Sequence, residues 1–151
     1  DWIGIDINRT AYEITRGRDV QLPLGMQEAF AKAKYASRTL DEITTFDGRD
    51  FELWVNELLH ATKPYPDGGV DGIMPDGTPI QAKAFEIKYD VLSKFLSDAK
   101  YHHLVPQPVK RIVAASKVGF DDNARRRAFE AKVKEGIEVQ LVTPADLLKL
   151  E

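Results

Sequence analysis

A strand–loop–strand pattern in the middle of the chain constrains the fold more than any other feature. Residues 74–78 (Met-Pro-Asp-Gly-Thr) are typical of a three-residue hairpin loop. Pro75 suits the first central position of a type I turn, and Gly77 supplies the left-handed residue that closes the loop with a bulge. A loop of this kind pairs Met74 with Thr78. The pattern therefore predicts a β-hairpin and fixes its register.

Three polar side chains meet in the predicted hairpin. Counting back from the pair of Met74 and Thr78 places Asp71 opposite Gln81, and cross-strand partners lie about 5 Å apart. Lys83 follows two residues after Gln81 and therefore lies on the same face of the strand. A carboxylate, an amide oxygen and an ammonium group would converge there, which suits the binding of a hard cation and a phosphate.

Helix and strand patterns alternate around the hairpin. Asp47 and Asp50 offer caps for a helix that runs to about His60. Trp54, Phe95 and Phe129 are expected in the core. Further elements are predicted after the hairpin: a helix over 87–103, a strand over 109–116, a helix over 121–135, a strand over 137–142 and a short helix from 143. This alternation predicts an α/β domain with a mixed central sheet flanked by helices.

Composition excludes several classes of protein. The chain has 151 residues and no cysteine, so disulfides, thiolate metal sites and cysteine nucleophiles are excluded. Its formal net charge of -3 argues against a generally basic coat, so contacts with phosphates would be local. No apolar run approaches the ~20 residues that a membrane span needs, and no signal peptide is recognised. A cytoplasmic protein without membrane contact is expected.

Several motifs follow one another in a fixed order over residues 46–150. They are 51–55 (Phe-Glu-Leu-Trp-Val) on a helix, 68–72 (Gly-Gly-Val-Asp-Gly), 80–83 (Ile-Gln-Ala-Lys), 119–124 (Gly-Phe-Asp-Asp-Asn-Ala) and the closing strand and helix over 137–148. This order resembles the Mrr-type restriction endonuclease domain. That family is a branch of the PD-(D/E)xK nuclease superfamily in which Gln replaces the usual second acid. The resemblance implies a restriction-endonuclease-like core.

The resemblance also implies Mg²⁺-dependent hydrolysis of double-stranded DNA, with Mn²⁺ as an alternative ion. Asp71, the side-chain oxygen of Gln81 and the main-chain carbonyl of Ala82 would hold the ion, and Lys83 would orient the attacking water. Because Gln81 is uncharged, a second carboxylate is wanted, and Glu52 matches the family position for it. The alternative for Glu52 is an exposed first-turn acid favoured by the helix dipole. Cleavage of both strands usually calls for two protomers, so a homodimer is expected.

Further basic residues are candidates for contacts with DNA. Lys88, Lys117 and Arg125 are candidate phosphate contacts, although a mixed solvated helix face is the alternative for Arg125. His102 and His103 are adjacent, so on a helix they point about 100° apart and do not chelate one ion easily. A solvated helix end is expected for both.

A second resemblance is confined to residues 1–18. The run 2–7 (Trp-Ile-Gly-Ile-Asp-Ile), with 11–12 (Ala-Tyr) and Arg16 after it, resembles the end of a circularly permuted adenine- or cytosine-N4 DNA methyltransferase. Asp6 matches the acid that holds the ribose of S-adenosylmethionine, here a vestigial position. The glycine-rich loop and the catalytic motif of that family are absent from the sequence. S-adenosylmethionine is therefore expected only in a full-length methyltransferase.

These features divide the chain into three parts. Residues 1–25 would be the tail of a methyltransferase-like domain, cut from a larger one because its first strand begins abruptly. Residues 26–46 would form a linker with a helix, and a connector would run from 39 to the start of the next domain at 47. Residues 47–151 would be the nuclease domain of a restriction-modification protein. The alternative is a non-catalytic DNA-binding or assembly domain attached to a DNA methyltransferase.

Overall fold

A four-stranded mixed sheet organises residues 38–150, the part of the chain that the computed structural model describes. Its strands lie in the order β1 (Gly72–Ile73), β2 (Pro79–Lys83), β3 (Arg111–Ser116) and β4 (Glu138–Val142). β1 and β2 are antiparallel, whereas β2, β3 and β4 run parallel to one another. The predicted α/β class and mixed sheet are confirmed. The predicted methyltransferase-like tail, including Asp6, lies outside the described residues.

β1 and β2 form the predicted hairpin in the predicted register. The main-chain N–H of Met74 donates to the carbonyl of Thr78 at 2.9 Å. Gly77 closes the loop with a φ of 88°, in the region that favours glycine. This register, continued by one residue beyond β1, brings Asp71 beside Gln81.

Five α-helices surround the described sheet. They are α1 (Leu40–Thr44), α2 (Gly48–Leu58), α3 (Tyr89–Tyr101), α4 (Asp122–Glu130), which a π-helical turn (Ala131–Glu135) extends, and α5 (Pro144–Leu148). The Asp47 side chain caps α2 as predicted, and the Asp121 side chain caps α4. At the start of α5 the Asp146 carboxylate accepts from the main-chain N–H and the hydroxyl of Thr143. Gly136 ends the π-helical turn with a φ of 68°.

Several element boundaries differ from the predictions: the helix expected to about His60 ends at Leu58, the helix expected to residue 103 ends at Tyr101, and the strand expected from 109 begins at Arg111. The connector expected over 39–47 contains α1, which begins with a capping box between Thr39 and Glu42. The helix expected from residue 87 begins at Tyr89, because the N–H of Ile87 donates to the carbonyl of Gly119 at 3.0 Å in an isolated β-bridge.

Apolar side chains pack on both faces of the sheet. Ile112 and Ala114 of β3 belong to one core together with Phe95 of α3. α2 packs against β2 and buries Trp54 completely. Phe129 is 68 % exposed, so its predicted place in the core is wrong. It follows the inward-facing Ala128 by one residue, which rotates it by about 100° toward solvent.

None of the helices in residues 38–150 combines the length and the apolar character that a membrane crossing requires.

Candidate functional site

Asp71, the residue before β1, directs its carboxylate toward β2. Its Oδ2 accepts hydrogen bonds from the main-chain N–H of Ala82 at 2.9 Å and from Lys83 Nζ at 3.3 Å. Asp71 is buried, whereas the Lys83 side chain keeps 29 % of its surface exposed. The structure thus brings the predicted acid and ammonium together, with the ammonium reachable from solvent.

Burial raises the pKa of the Asp71 carboxyl above its ordinary value. The N–H of Ala82 and the charge of Lys83 lower this pKa, the charge of Glu52 raises it, and the net direction is upward. The hydrogen bond and the positive charge near the carboxylate therefore do not fully compensate for its loss of hydration. A cation placed beside it would stabilise its ionised form.

The amide of Gln81 presents an unused acceptor beside this carboxylate. Its Nε2 donates to the carbonyl of Gly69 at 3.3 Å, which identifies the other amide atom as the oxygen, because only the nitrogen can donate. That oxygen, Oε1, is buried and has no hydrogen-bond partner within residues 38–150. A buried acceptor without a donor costs about 1–3 kcal/mol. A bound cation would remove that penalty.

The main-chain carbonyl of Ala82 lies on the side of β2 that faces Asp71. The Ala82 N–H points to Asp71, whereas the carbonyl of Lys83 accepts from the N–H of Lys117 at 2.9 Å on the β3 side. The N–H and carbonyl of one strand residue point to the same side, and successive residues alternate. The Ala82 carbonyl therefore faces the Asp71 side, as its predicted role as a ligand requires.

Glu52, the second predicted acid, lies on α2 and is bound by a lysine. Its Oε1 is 2.5 Å from Nζ of Lys63. The hydrogen bond to Glu52 raises the pKa of Lys63, so the ammonium form is favoured. Glu52 lies one turn before Asn56 on α2, and Asn56 donates to the main-chain carbonyl of Asp71, so both carboxylates lie where this helix meets the hairpin. The charge of Glu52 accordingly acts to raise the pKa of the Asp71 carboxyl.

Lys63 is absent from the sequence-based site. It belongs to the loop after α2, and the main chain of the preceding residue, Thr62, forms a β-bridge with Ile73 of β1. This pairing brings the loop to the hairpin. No local sequence pattern predicts such a long-range contact, so only the tertiary structure identifies Lys63 as a residue of the site.

α2 also fixes the backbone of Asp71. The side-chain Nδ2 of Asn56 donates to the main-chain carbonyl of Asp71 at 2.8 Å, and both residues are buried. Gly72 lies so close to Asn56 that an added Cβ would stand 2.2 Å from Oδ1. Helix and hairpin are therefore in direct contact at the residue that carries the buried acid.

The donor set fits a hard divalent cation. The carboxylate of Asp71, the Oε1 of Gln81 and the carbonyl of Ala82 are all oxygen donors, which Mg²⁺ prefers. Glu52 would add a second carboxylate if its ammonium partner moved away. Residues 38–150 contain no group of three or more His, Cys, Asp or Glu side chains that could hold a metal. Amide and carbonyl oxygens and water would therefore have to complete the coordination.

The predicted phosphate contacts have different environments. Lys88 is exposed at the N-terminus of α3, and Arg125 is exposed on α4. Lys117 Nζ instead donates to the carbonyls of Thr44 at 3.2 Å and Phe46 at 2.5 Å. These hydrogen bonds hold the main chain at the end of α1.

The two histidines do not form a chelating pair. Their rings stack, with centroids 4.9 Å apart. His102 is buried: its Nδ1 accepts from the N–H of Leu104 at 3.1 Å, and its Nε2 lies 3.3 Å from the carbonyl of Pro66. The prediction of a solvated position is right for His103, which is exposed, and wrong for His102. The main chain occupies both ring nitrogens of His102, one from the loop after α3 and the other from the loop after α2.

A groove adjoins the site on the side of Lys63. Its volume is about 450 Å³, and Lys63, Tyr65, Met74 and Leu104 are among its lining residues. The Tyr65 ring is almost fully exposed. An exposed aromatic ring of this kind suits contact with a sugar or a base.

Comparison with known proteins adds no relative to this description. No protein-family model, no curated protein and no solved structure matches the chain. Its function is therefore inferred from the chemistry of the site and from the order of the motifs.

Proposed function

We propose that this chain is a divalent-metal-dependent DNA endonuclease of the restriction type, with its site at Asp71, Gln81 and Lys83. One observation carries the proposal. Asp71, whose carboxylate is buried, and Gln81, whose amide oxygen is buried and without a partner in residues 38–150, are cross-strand neighbours, and the partly exposed side chain of Lys83 binds the carboxylate. Hydrolysis of a phosphodiester needs this combination of cation ligands and a positive group facing the substrate.

A bound Mg²⁺ would supply a nucleophilic water and neutralise charge on the scissile phosphate. Asp71, Gln81 and the carbonyl of Ala82 would hold and orient that ion. Lys83 would position the attacking water and donate to a phosphate oxygen as negative charge builds up in the transition state. Its hydrogen bond to Asp71 aims the ammonium at the site, and its exposed surface leaves room for the substrate.

The proposed substrate is double-stranded DNA. Lys88 and Arg125 are accessible for phosphate contacts, and the net charge of -3 requires that such contacts be local. Two protomers on one duplex would allow both strands to be cut, so we propose a homodimer on DNA. The resemblance of residues 1–18 to a methyltransferase supports a place in a cytoplasmic restriction-modification protein.

Cleavage of supercoiled plasmids of different methylation in the presence of Mg²⁺ tests this function. We expect the wild type to nick or linearise a plasmid, and Asp71→Asn and Lys83→Met each to lower the rate by about 10²-fold or more. Lys149→Met is the matched control, because Lys149 is an exposed lysine that pairs with Asp146 and with no residue of the proposed site. Metal-dependent cleavage that survives Asp71→Asn would refute the proposal.

A second candidate function is DNA binding or assembly without catalysis. It is favoured by the two lysines, Lys83 and Lys63, which already form ion pairs with Asp71 and Glu52 in the described structure. Such a protein would bind DNA equally well with and without Mg²⁺ and would leave every plasmid intact. Electrophoretic mobility shifts recorded beside the cleavage assay separate the two functions.

A further inference from the structure

The two ion pairs of the site differ in how firmly they are held. Lys83 lies 3.3 Å from a buried carboxylate, and its side chain is mostly covered. Lys63 contacts Glu52 at 2.5 Å, but 52 % of its side chain is exposed, against 18 % for Glu52. An ion pair with one solvated partner contributes little net stabilisation, and the flexible lysine can leave it easily.

Lys63 occupies Oε1 of Glu52, so a divalent ion that binds this carboxylate through Oε1 or through both oxygens competes with Lys63. Glu52 lies one turn before Asn56 on α2, and Asn56 donates to the main-chain carbonyl of Asp71 at 2.8 Å, so the same face of the helix carries Glu52 toward Asp71. A divalent ion bound at Asp71 would attract Glu52 more strongly than a single ammonium does, because the Coulomb energy grows with the charge. The same ion would repel the Lys63 ammonium.

We propose that Lys63 is the metal-free counterion of Glu52 and is displaced by the incoming divalent cation. Lys63 is then a positioning residue: it holds Glu52 at the site before the metal arrives and raises the metal concentration at which the site fills. This inference rests on the proposed metal-dependent function and adds to it a residue that controls metal uptake.

Calorimetric titration of the full chain with Mn²⁺, without DNA, tests the displacement. We expect Lys63→Met to bind Mn²⁺ about threefold or more tightly than the wild type, because no ion pair has to be broken. Lys63→Arg keeps the charge and should behave like the wild type. Lys149→Met, which removes a lysine from the ion pair with Asp146, should leave the affinity unchanged.

A double-mutant cycle shows whether Lys63 acts through Glu52. In a Glu52→Gln background, Lys63→Met should tighten Mn²⁺ binding much less, since only the through-space repulsion remains. Circular dichroism verifies folding, and Lys63→Gln replaces Lys63→Met if the latter fails to fold.

Each outcome of the titrations has a distinct meaning. Unchanged or weaker binding by folded Lys63→Met overturns the displacement, as does equal tightening with and without Glu52. Uptake by the wild type that is absent, or that persists in Asp71→Asn, overturns the proposed metal site and this inference together.

Discussion

Replacing Gly72 with alanine tests whether α2 holds the hairpin in place. The added Cβ would lie 2.2 Å from Oδ1 of Asn56 and 3.2 Å from Cβ of Ala61. The Asn56 amide cannot yield without losing its 2.8 Å hydrogen bond to the carbonyl of Asp71, and both residues are buried. Loss of that bond costs about 1–3 kcal/mol, and overpacking adds a similar amount. We expect Gly72→Ala to lower the free energy of unfolding by about 2–6 kcal/mol.

Urea denaturation followed by tryptophan fluorescence measures this loss. Gly48→Ala is the matched control, because a Cβ there would meet only Cβ of Ala84 at 4.0 Å and the position begins a helix. We expect the control to be neutral or stabilising by up to about 1 kcal/mol. In an Asn56→Ala background, Gly72→Ala should cost less, since the clashing amide is gone. A Gly72→Ala variant as stable as the control, or strictly additive effects of the two substitutions, would refute this reasoning.

Two further predictions concern stability. His60 has a φ of 54°, where glycine meets no steric penalty but other residues do. His60→Gly should therefore raise the free energy of unfolding by about 0.5–1 kcal/mol in urea denaturation. An unchanged or lower free energy of unfolding would contradict a steric penalty at His60. The contribution of Asp71 to the stability of the metal-free protein should fall as the pH rises through its folded-state pKa. Burial raises that pKa above the unfolded value, so the contribution of Asp71 is fully present below the unfolded pKa and is lost above the folded one. Because the lowered pKa values of Asp76, Glu135 and Asp146 add stability over the same range, the difference in denaturation midpoint between the wild type and Asp71→Asn should show this decline.

Features that depend on residues close together in the sequence were predictable. Pro75 and Gly77 specify the hairpin loop, and the loop alone fixes the pairing that brings Asp71 beside Gln81. Capping side chains such as Asp47 and Asp121 likewise act within three residues, so they mark helix starts from sequence alone. The core of the candidate site is accessible to sequence reasoning for this reason.

Features that depend on distant contacts were not predictable. Lys63 reaches Glu52 because the loop after α2 pairs with β1, and the two residues share no motif. His102 is buried because the loop containing Pro66 lies over its ring, although the end of a helix normally faces solvent. Phe129 shows the opposite error: an aromatic residue on an amphipathic helix lies on its exposed side. In each case tertiary packing, rather than local preference, decides the environment.

Stabilisation by Mg²⁺ tests most directly whether a divalent ion binds between Asp71 and Gln81. A ligand that binds only the folded state raises the free energy of unfolding by about 2.7 kcal/mol when present at about a hundred times its dissociation constant. We expect thermal unfolding of the wild type to shift upward with Mg²⁺ and to saturate, less so in Gln81→Leu, and not at all in Asp71→Asn. An equal shift in Asp71→Asn, or no shift in the wild type, would contradict the proposed metal site.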